Sequence, residues 1–159
     1  MANRFCLNPV SYHGYGAIEN IVPELLSHHL KKVLVVTDKS LVKFGVVANV
    51  TKLLDAAKFD YVVFDDVKPN PTIKNIQDGV VAYKEAKAEG IVAIGGGSAM
   101  DTAKGIGIIV TNPKFADVRS LEGAAPTEEP CVFTIAVPTT AGTAAEVTIN
   151  YVVTDEEKH

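Results

Sequence analysis

Cysteine is scarce in this chain: Cys6 and Cys131 are the only two among 159 residues, and no Cys-x-x-Cys occurs. A disulfide framework is excluded by that count and separation, and each cysteine is expected to be a small buried hydrophobe. No window approaches the roughly 18 uninterrupted apolar residues of a membrane span, so no membrane partner is expected. Met1 to Cys6 lacks an apolar run of signal-peptide length, which makes the cytoplasm the expected location. Lysine and arginine are scattered, with Lys31-Lys32 the only adjacent pair, and the net charge is −4. Without a basic stripe to track phosphates, no nucleic-acid partner is expected. The four histidines, His13, His28, His29 and His159, show no metal-ligand spacing and read as surface or capping residues. Low-complexity stretches, linkers and internal repeats are also missing.

What the chain does have is 47% apolar and 21% charged residues, the balance of a soluble globular domain. Short β-branched runs alternate with amphipathic segments. Val33 to Thr37, Tyr61 to Phe64, Ile91 to Ile94 and Cys131 to Val137 read as strands. Helical spacing covers Ser40 to Phe44, Val46 to Ala57, about Thr72 to Glu89 with Thr72 as N-cap, and Ala99 to Val110. Gly90 is expected as the C′ glycine of the third of these helices. Thr148 to Val153 alternates like one arm of a β-hairpin. Fully apolar strands separated by helices predict an α/β fold, a doubly wound and mainly parallel sheet with helices on both faces. Ligands in such folds bind beyond the carboxyl ends of the strands, so the residues following each strand are the candidates.

Gly95-Gly96-Gly97-Ser98 follows the third strand directly. Three glycines remove every Cβ at the strand–helix turn and let backbone approach a bulky anion. Ser98 with Asp101 three residues on has the form of a capping box, which predicts a helix start at Ser98. First-turn N–H groups and the positive end of the helix dipole favour a phosphate there. The pattern is neither Gly-x-Gly-x-x-Gly nor a P-loop. Asp38, ending the first strand, suits the hydroxyls of an adenosine ribose and would repel a 2′-phosphate; an N-cap or turn role is the alternative. Thr139, Thr140 and Thr143 surround Gly142 in a polar loop able to hydrogen-bond phosphate or carboxamide, although an ordinary turn fits as well. Glu146 reads as solvated or capping. Asn70, between two prolines, is expected to be extended and to face a ligand or to form a structural turn.

The run Ile94 to Lys104, IGGGSAMDTAK, resembles the signature of the iron-containing (group III) alcohol dehydrogenases. Pro69-Asn70-Pro71-Thr72 and Pro138 to Thr148 are similar to that family too, and the likeness covers essentially the whole chain. It implies the Rossmann-like N-terminal domain of the dehydroquinate synthase-like fold, spanning residues 1–159 as one NAD-binding domain. It further implies NAD as cofactor, a short hydroxyaldehyde or diol as substrate, and a homodimer. Gly95, Gly96, Gly97, Ser98 and Asp101 would serve the pyrophosphate turn, and Thr139, Thr140 and Thr143 the phosphate and nicotinamide ribose. Asp38 would face the adenosine ribose, Asn70 the cofactor near its ribose, and Asn150 and Val152 the nicotinamide end. Family members are more than twice as long, and their second, all-helical domain supplies an Asp and three His for Fe²⁺. Catalytic and metal-binding residues are therefore expected to be absent from this chain, which alone should be inactive. The alternatives are a stand-alone nucleotide-binding module and the NAD domain of a glycerol dehydrogenase-like enzyme.

Overall fold

The apolar runs form a four-stranded sheet in the order β2-β1-β3-β4, every pairing parallel. The structure is a computed structural model describing residues 8–123 and 125–158. Cys6 and His159 lie outside them. Along the chain run α1 (Ile21–Ser27), β1 (Lys32–Val36), α2 (Lys39–Lys43), α3 (Ala48–Ala56), β2 (Asp60–Phe64), α4 (Ile73–Ala86), β3 (Gly90–Gly95), α5 (Gly97–Thr111) and β4 (Thr134–Pro138). Short 3-10 turns occupy Ala17–Asn20, Pro113–Phe115 and Val118–Leu121.

β1 and β3 are central and sealed on both faces: Val33, Leu34, Val35, Val36, Ile91, Val92 and Ala93 have no exposed surface. Alternate residues divide between two cores. Leu34, Val36, Ile91 and Ala93 meet α4 and α5, whereas Val33, Val35, Val92 and Ile94 meet α1 and α3. That two-sided cover is why neither strand alternates polar with apolar. β2 is an edge strand, and its Val62 and Val63 are partly exposed.

α4 and α5 interlock through reciprocal notches. A Cβ at Gly79 would collide with the Ile106 side chain, and one at Gly105 would collide with Ile76. Each isoleucine is fully buried over the other helix's glycine. Glycine costs about 1 kcal/mol of helix propensity at each site, which the close approach of the helices offsets.

Several expectations are corrected. α4 ends at Ala86 with Lys87 in the left-handed region at φ 52 as its C-cap, so Gly90 is not a helix terminator. Gly90 opens β3, where a Cβ would meet Leu30 at 2.8 Å and the Phe133 carbonyl at 3.0 Å. Thr72 does cap α4, accepting from the Asn75 N–H at 3.2 Å. Thr148 to Val153 is not a hairpin arm but irregular chain. Its partners are the side chains of Lys104 and Asp101, and the parallel bridge Thr72 to Thr154 comes just after it; among the described residues no strand pairs it. Cys131 precedes β4 and is exposed rather than buried, yet its thiol is turned against Gly107 and desolvation pushes its pKa up. His13, His28 and His29 are on the surface as expected, His28 stacking on Phe133 with ring centroids 3.7 Å apart.

The segment after Tyr151 is tied down at its end. Thr154 N donates to the Pro71 carbonyl at 2.8 Å, and Ile73 N donates to the Thr154 carbonyl at 3.2 Å. Arg119 grips Asp155 through Nε at 2.9 Å and a second guanidinium nitrogen at 3.1 Å. This fork holds the Asp155 carboxyl below the usual carboxylate range. A lowered folded-state pKa contributes stability that is complete above the ordinary carboxylate value and disappears as pH falls through the lowered one. The protection of the Thr154 amide against hydrogen exchange, relative to its intrinsic rate at each pH, should therefore hold from neutrality to mild acid and fall only below that window. Loss of protection already at pH 6 would remove the ion pair as the cause.

Candidate functional site

The strand order places a switch point between β1 and β3. The chain leaves β1 toward β2 on one side and later returns to place β3 on the other, which opens a crevice at their carboxyl ends. A cleft of about 420 Å³ lies there, lined by Asp38 to Ser40, Asp65 to Pro69 and Gly96 to Ala99.

On its β3 side, α5 begins at Gly97 with Gly96 as N-cap. This corrects the expected start at Ser98. Among the described residues no side chain caps the helix, and Ser98 already lies inside its first turn. Asp101 is engaged elsewhere: its Oδ2 accepts from the Val152 N–H at 3.2 Å. The helix itself leaves the N–H groups of Gly97 and Ser98 without an intrahelical partner, and the 15-residue helix aligns its dipole behind them.

The three glycines have separate reasons. Gly95 has φ 151, and a Cβ there would lie 2.7 Å from that of Ala99. At Gly96 a Cβ would come within 2.7 Å of Thr140 Oγ1, and at Gly97 within 3.3 Å of Thr143 Cγ2. The glycine turn and the threonine loop, whose contacts Gly96–Thr140 and Gly97–Thr143 join positions 44 and 46 residues apart, thus pack on one another. The Thr139 N–H donates to the Gly95 carbonyl at 2.9 Å, carrying the β3–β4 pairing into the loop. The hydroxyls of Thr140 and Thr143 stand next to the glycine turn.

Across the cleft, Asp38 caps α2, its Oδ1 accepting from Ser40 N at 2.8 Å and Leu41 N at 3.0 Å. The capping alternative is therefore realised. It does not use up the carboxylate, since among the described residues only Oδ1 takes part in these bonds. Lys39 reaches Asp66 at 2.6 Å, which holds the Asp66 carboxyl below its ordinary value and raises the lysine. Three carboxylates, on Asp38, Asp65 and Asp66, face two ammonium groups, on Lys39 and Lys68, around this end of the cleft. The balance favours hydroxyl groups over a further phosphate.

Asn70 is corrected in conformation: it has φ 52, not an extended backbone. Asparagine tolerates the left-handed region, and the loop is fixed from behind by the Thr154 bond to Pro71. Asn70 is exposed, next to Pro69 of the cleft wall. Asn150 and Val152 are also exposed, and lie along α5 rather than in the β1 side of the cleft. Sequence reading passed over Asn75, a buried polar residue in the first turn of α4. Its amide accepts from Lys68 N at 3.2 Å and donates to the Asp66 carbonyl at 2.8 Å, shaping the cleft wall. An amide on the apolar face of a helix was the available signal.

The chain belongs to the iron-containing alcohol dehydrogenase family, which it matches over residues 9–159. It is 54% identical to lactaldehyde reductase of Escherichia coli strain K12 over 158 residues, which is 99% of this chain and 41% of that protein. Choline dehydrogenase of Bacillus subtilis strain 168 is 39% identical across 97% of the chain and 39% of its own length. Among solved structures, an alcohol dehydrogenase from Oenococcus oeni superposes with TM-score 0.93 and 41% identity, covering 99% of this chain and 41% of that one. The chain therefore spans about two fifths of the length of these relatives. Among the described residues no three His, Cys, Asp or Glu side chains are grouped so as to hold a metal ion, so these residues do not fit an iron site. No helix of the described residues is long and apolar enough to cross a membrane.

Proposed function

We propose that this chain is the NAD-binding domain of a dehydrogenase similar to lactaldehyde reductase, active in hydride transfer between NAD(H) and a short alcohol or aldehyde. The observation that carries the reading is the junction of the Gly95–Ser98 turn with the threonine loop at the β1/β3 switch point, facing Asp38. A dinucleotide laid across the strand ends would put its adenosine ribose at Asp38 on β1. Its pyrophosphate would lie on the Gly97 and Ser98 N–H groups after β3, and its nicotinamide half beside Thr139, Thr140 and Thr143 after β4. Gly95 and Gly96 shape that turn, and Asn70 flanks the ribose from the loop beyond β2.

When bound, the nicotinamide supplies or accepts the hydride; the residues of this chain bind and orient it. Iron, its ligands and the substrate wall belong, in this reading, to the part of the longer relatives that this chain does not span. The chain contains no tryptophan, so binding is read from the emission of NADH itself rather than from quenching of an indole. Titration should give a Kd on the order of micromolar or weaker, with no oxidation of 1,2-propanediol by the chain alone when Fe²⁺ is added. Turnover under those conditions would overturn the assignment of catalysis to residues outside it.

Asp38 tests the adenosine end. Because the same carboxylate caps α2, Asp38→Ser is the better probe than a glycine, since serine preserves a cap worth about 1 kcal/mol. The ratio of NADPH to NADH dissociation constants should fall about tenfold, one 1.4 kcal/mol step. An unchanged ratio removes Asp38 from cofactor selection.

The homodimer inferred from the family has a surface on which to be tested. Val147 and Ile149 expose 42% and 86% of their surface along one irregular segment, the kind of apolar strip that another surface covers. Light scattering should show a mass that rises with concentration, and Ile149→Ser should lower it. A strict monomer at high concentration would count against the dimer.

A further inference from the structure

Asp101 and Lys104 stand three residues apart on α5, about one and two turns beyond its start at Gly97, and both turn toward the irregular chain that follows the threonine loop. Lys104 Nζ donates to the Asn150 carbonyl at 2.8 Å and to Thr148 Oγ1 at 3.2 Å. Its ammonium lies 3.7 Å from Asp101 Oδ1, and Asp101 Oδ2 accepts from the Val152 N–H at 3.2 Å. The two side chains are mostly buried, with 20% and 14% of their surface exposed. Among the described residues, 148–152 have no strand partner, so the three contacts from Lys104 and Asp101 to Thr148, Asn150 and Val152 set where that segment runs. Burial pulls the Lys104 ammonium below its usual value, and the neighbouring Asp101 opposes the shift; the two side chains lie in a poorly solvated place rather than loose on the surface.

We infer that Lys104, acting with Asp101, is a positioning residue that fixes the Asn150–Val152 backbone to the same helix whose first turn receives the pyrophosphate. This rests on the cofactor reading proposed above. Asp38 follows β1, the glycine turn follows β3, and residues 148–152 follow β4. The segment therefore lies on the side of the pyrophosphate opposite the adenosine, alongside the nicotinamide half. A single rigid helix then determines both where the phosphates sit and how far away the nicotinamide is supported. Neither side chain needs to touch the cofactor. Charge-assisted hydrogen bonds to the Asn150 carbonyl and from the Val152 N–H are the strong kind suited to holding backbone in place.

The test compares NADH with ADP-ribose, which carries the adenosine, pyrophosphate and second ribose but no nicotinamide. Calorimetry on the 159-residue chain should show Lys104→Met weakening NADH about tenfold while leaving ADP-ribose within about twofold, with Lys104→Arg recovering most of the loss. In the same variant, hydrogen exchange at the Val152 amide should accelerate while the amides of Thr102 to Ile106 in α5 keep their protection. Should Lys104→Met not fold, Lys104→Gln retains a neutral donor and should show the same asymmetry at smaller size. Equal loss for both ligands, or an unaltered Val152 amide, overturns the positioning role while leaving the cofactor reading intact. Failure of the unaltered chain to bind either NADH or ADP-ribose overturns both.

Discussion

Replacing Gly97 with valine should weaken NADH at least about 100-fold, roughly 2.7 kcal/mol of binding free energy, with little effect on folding. The position opens α5, where β-branched residues cost only a few tenths of a kcal/mol relative to most others, and its φ needs no glycine. A Cβ there would stand 3.3 Å from Thr143 Cγ2, a contact that a shift of a few tenths of an ångström relieves. The branched methyls would instead occupy the space through which backbone N–H groups of Gly97 and Ser98 meet a pyrophosphate. Hydrogen bonds to a charged group contribute about 1.5–3 kcal/mol each, so losing one close approach suffices. The thermal midpoint should stay within a few degrees. Gly96→Val is the less clean variant, because its Cβ meets Thr140 Oγ1 at 2.7 Å and binding would be lost together with the loop. Unchanged NADH affinity in folded Gly97→Val would show that the phosphate does not sit on this turn.

The second large effect concerns stability. Ile106→Ala removes three carbons from a site with no exposed surface and empties the notch above Gly79 on the facing helix. Large-to-small changes of this kind cost about 2–5 kcal/mol, the upper part where the surroundings cannot collapse. Here the facing backbone is already at its closest approach, so little collapse is available. For a chain of this size each kcal/mol corresponds to roughly 2–4 °C, and the midpoint should fall by on the order of 10 °C. Val63→Ala on the partly exposed edge strand is the control and should cost far less. A loss under 1 kcal/mol for Ile106→Ala would mean that the α4–α5 interface repacks freely.

The sheet was the most legible feature in the sequence. Val33 to Val36 and Ile91 to Ile94 carry no polar residue, and only a strand covered on both faces tolerates that. Turn chemistry was harder to read. Gly90 looked like a helix terminator because glycine serves both for positive φ and for close approach, and sequence alone does not separate the two. Ser98 and Asp101 had capping-box spacing, but a carboxylate at that place in α5 is pulled instead to the Val152 amide, 51 residues away, by a contact no local window contains. Thr148 to Val153 alternates as a strand would, yet alternation only describes which side chains point the same way. Without a neighbouring edge it becomes a strap held by Lys104 and Asp101. The family motifs located the glycine turn and the threonine loop; that they touch each other through Gly96 and Thr140 follows from the β3–β4 pairing.

The order β2-β1-β3-β4 also imposes a schedule on synthesis. β1 is complete at Val36, but the strand that covers its second edge ends at Gly95, about 60 residues later. At ribosomal rates of about 5–20 residues per second, that interval is roughly 3–12 s. Throughout it, an edge made of Val33, Leu34, Val35 and Val36 stays open to any other extended chain, the hazard of a flat apolar edge strand. The run is bracketed by Lys31 and Lys32 before it and by Asp38 and Lys39 after it. Charges so placed act as gatekeepers against intermolecular pairing, protecting the nascent chain before they have any folded structure to serve.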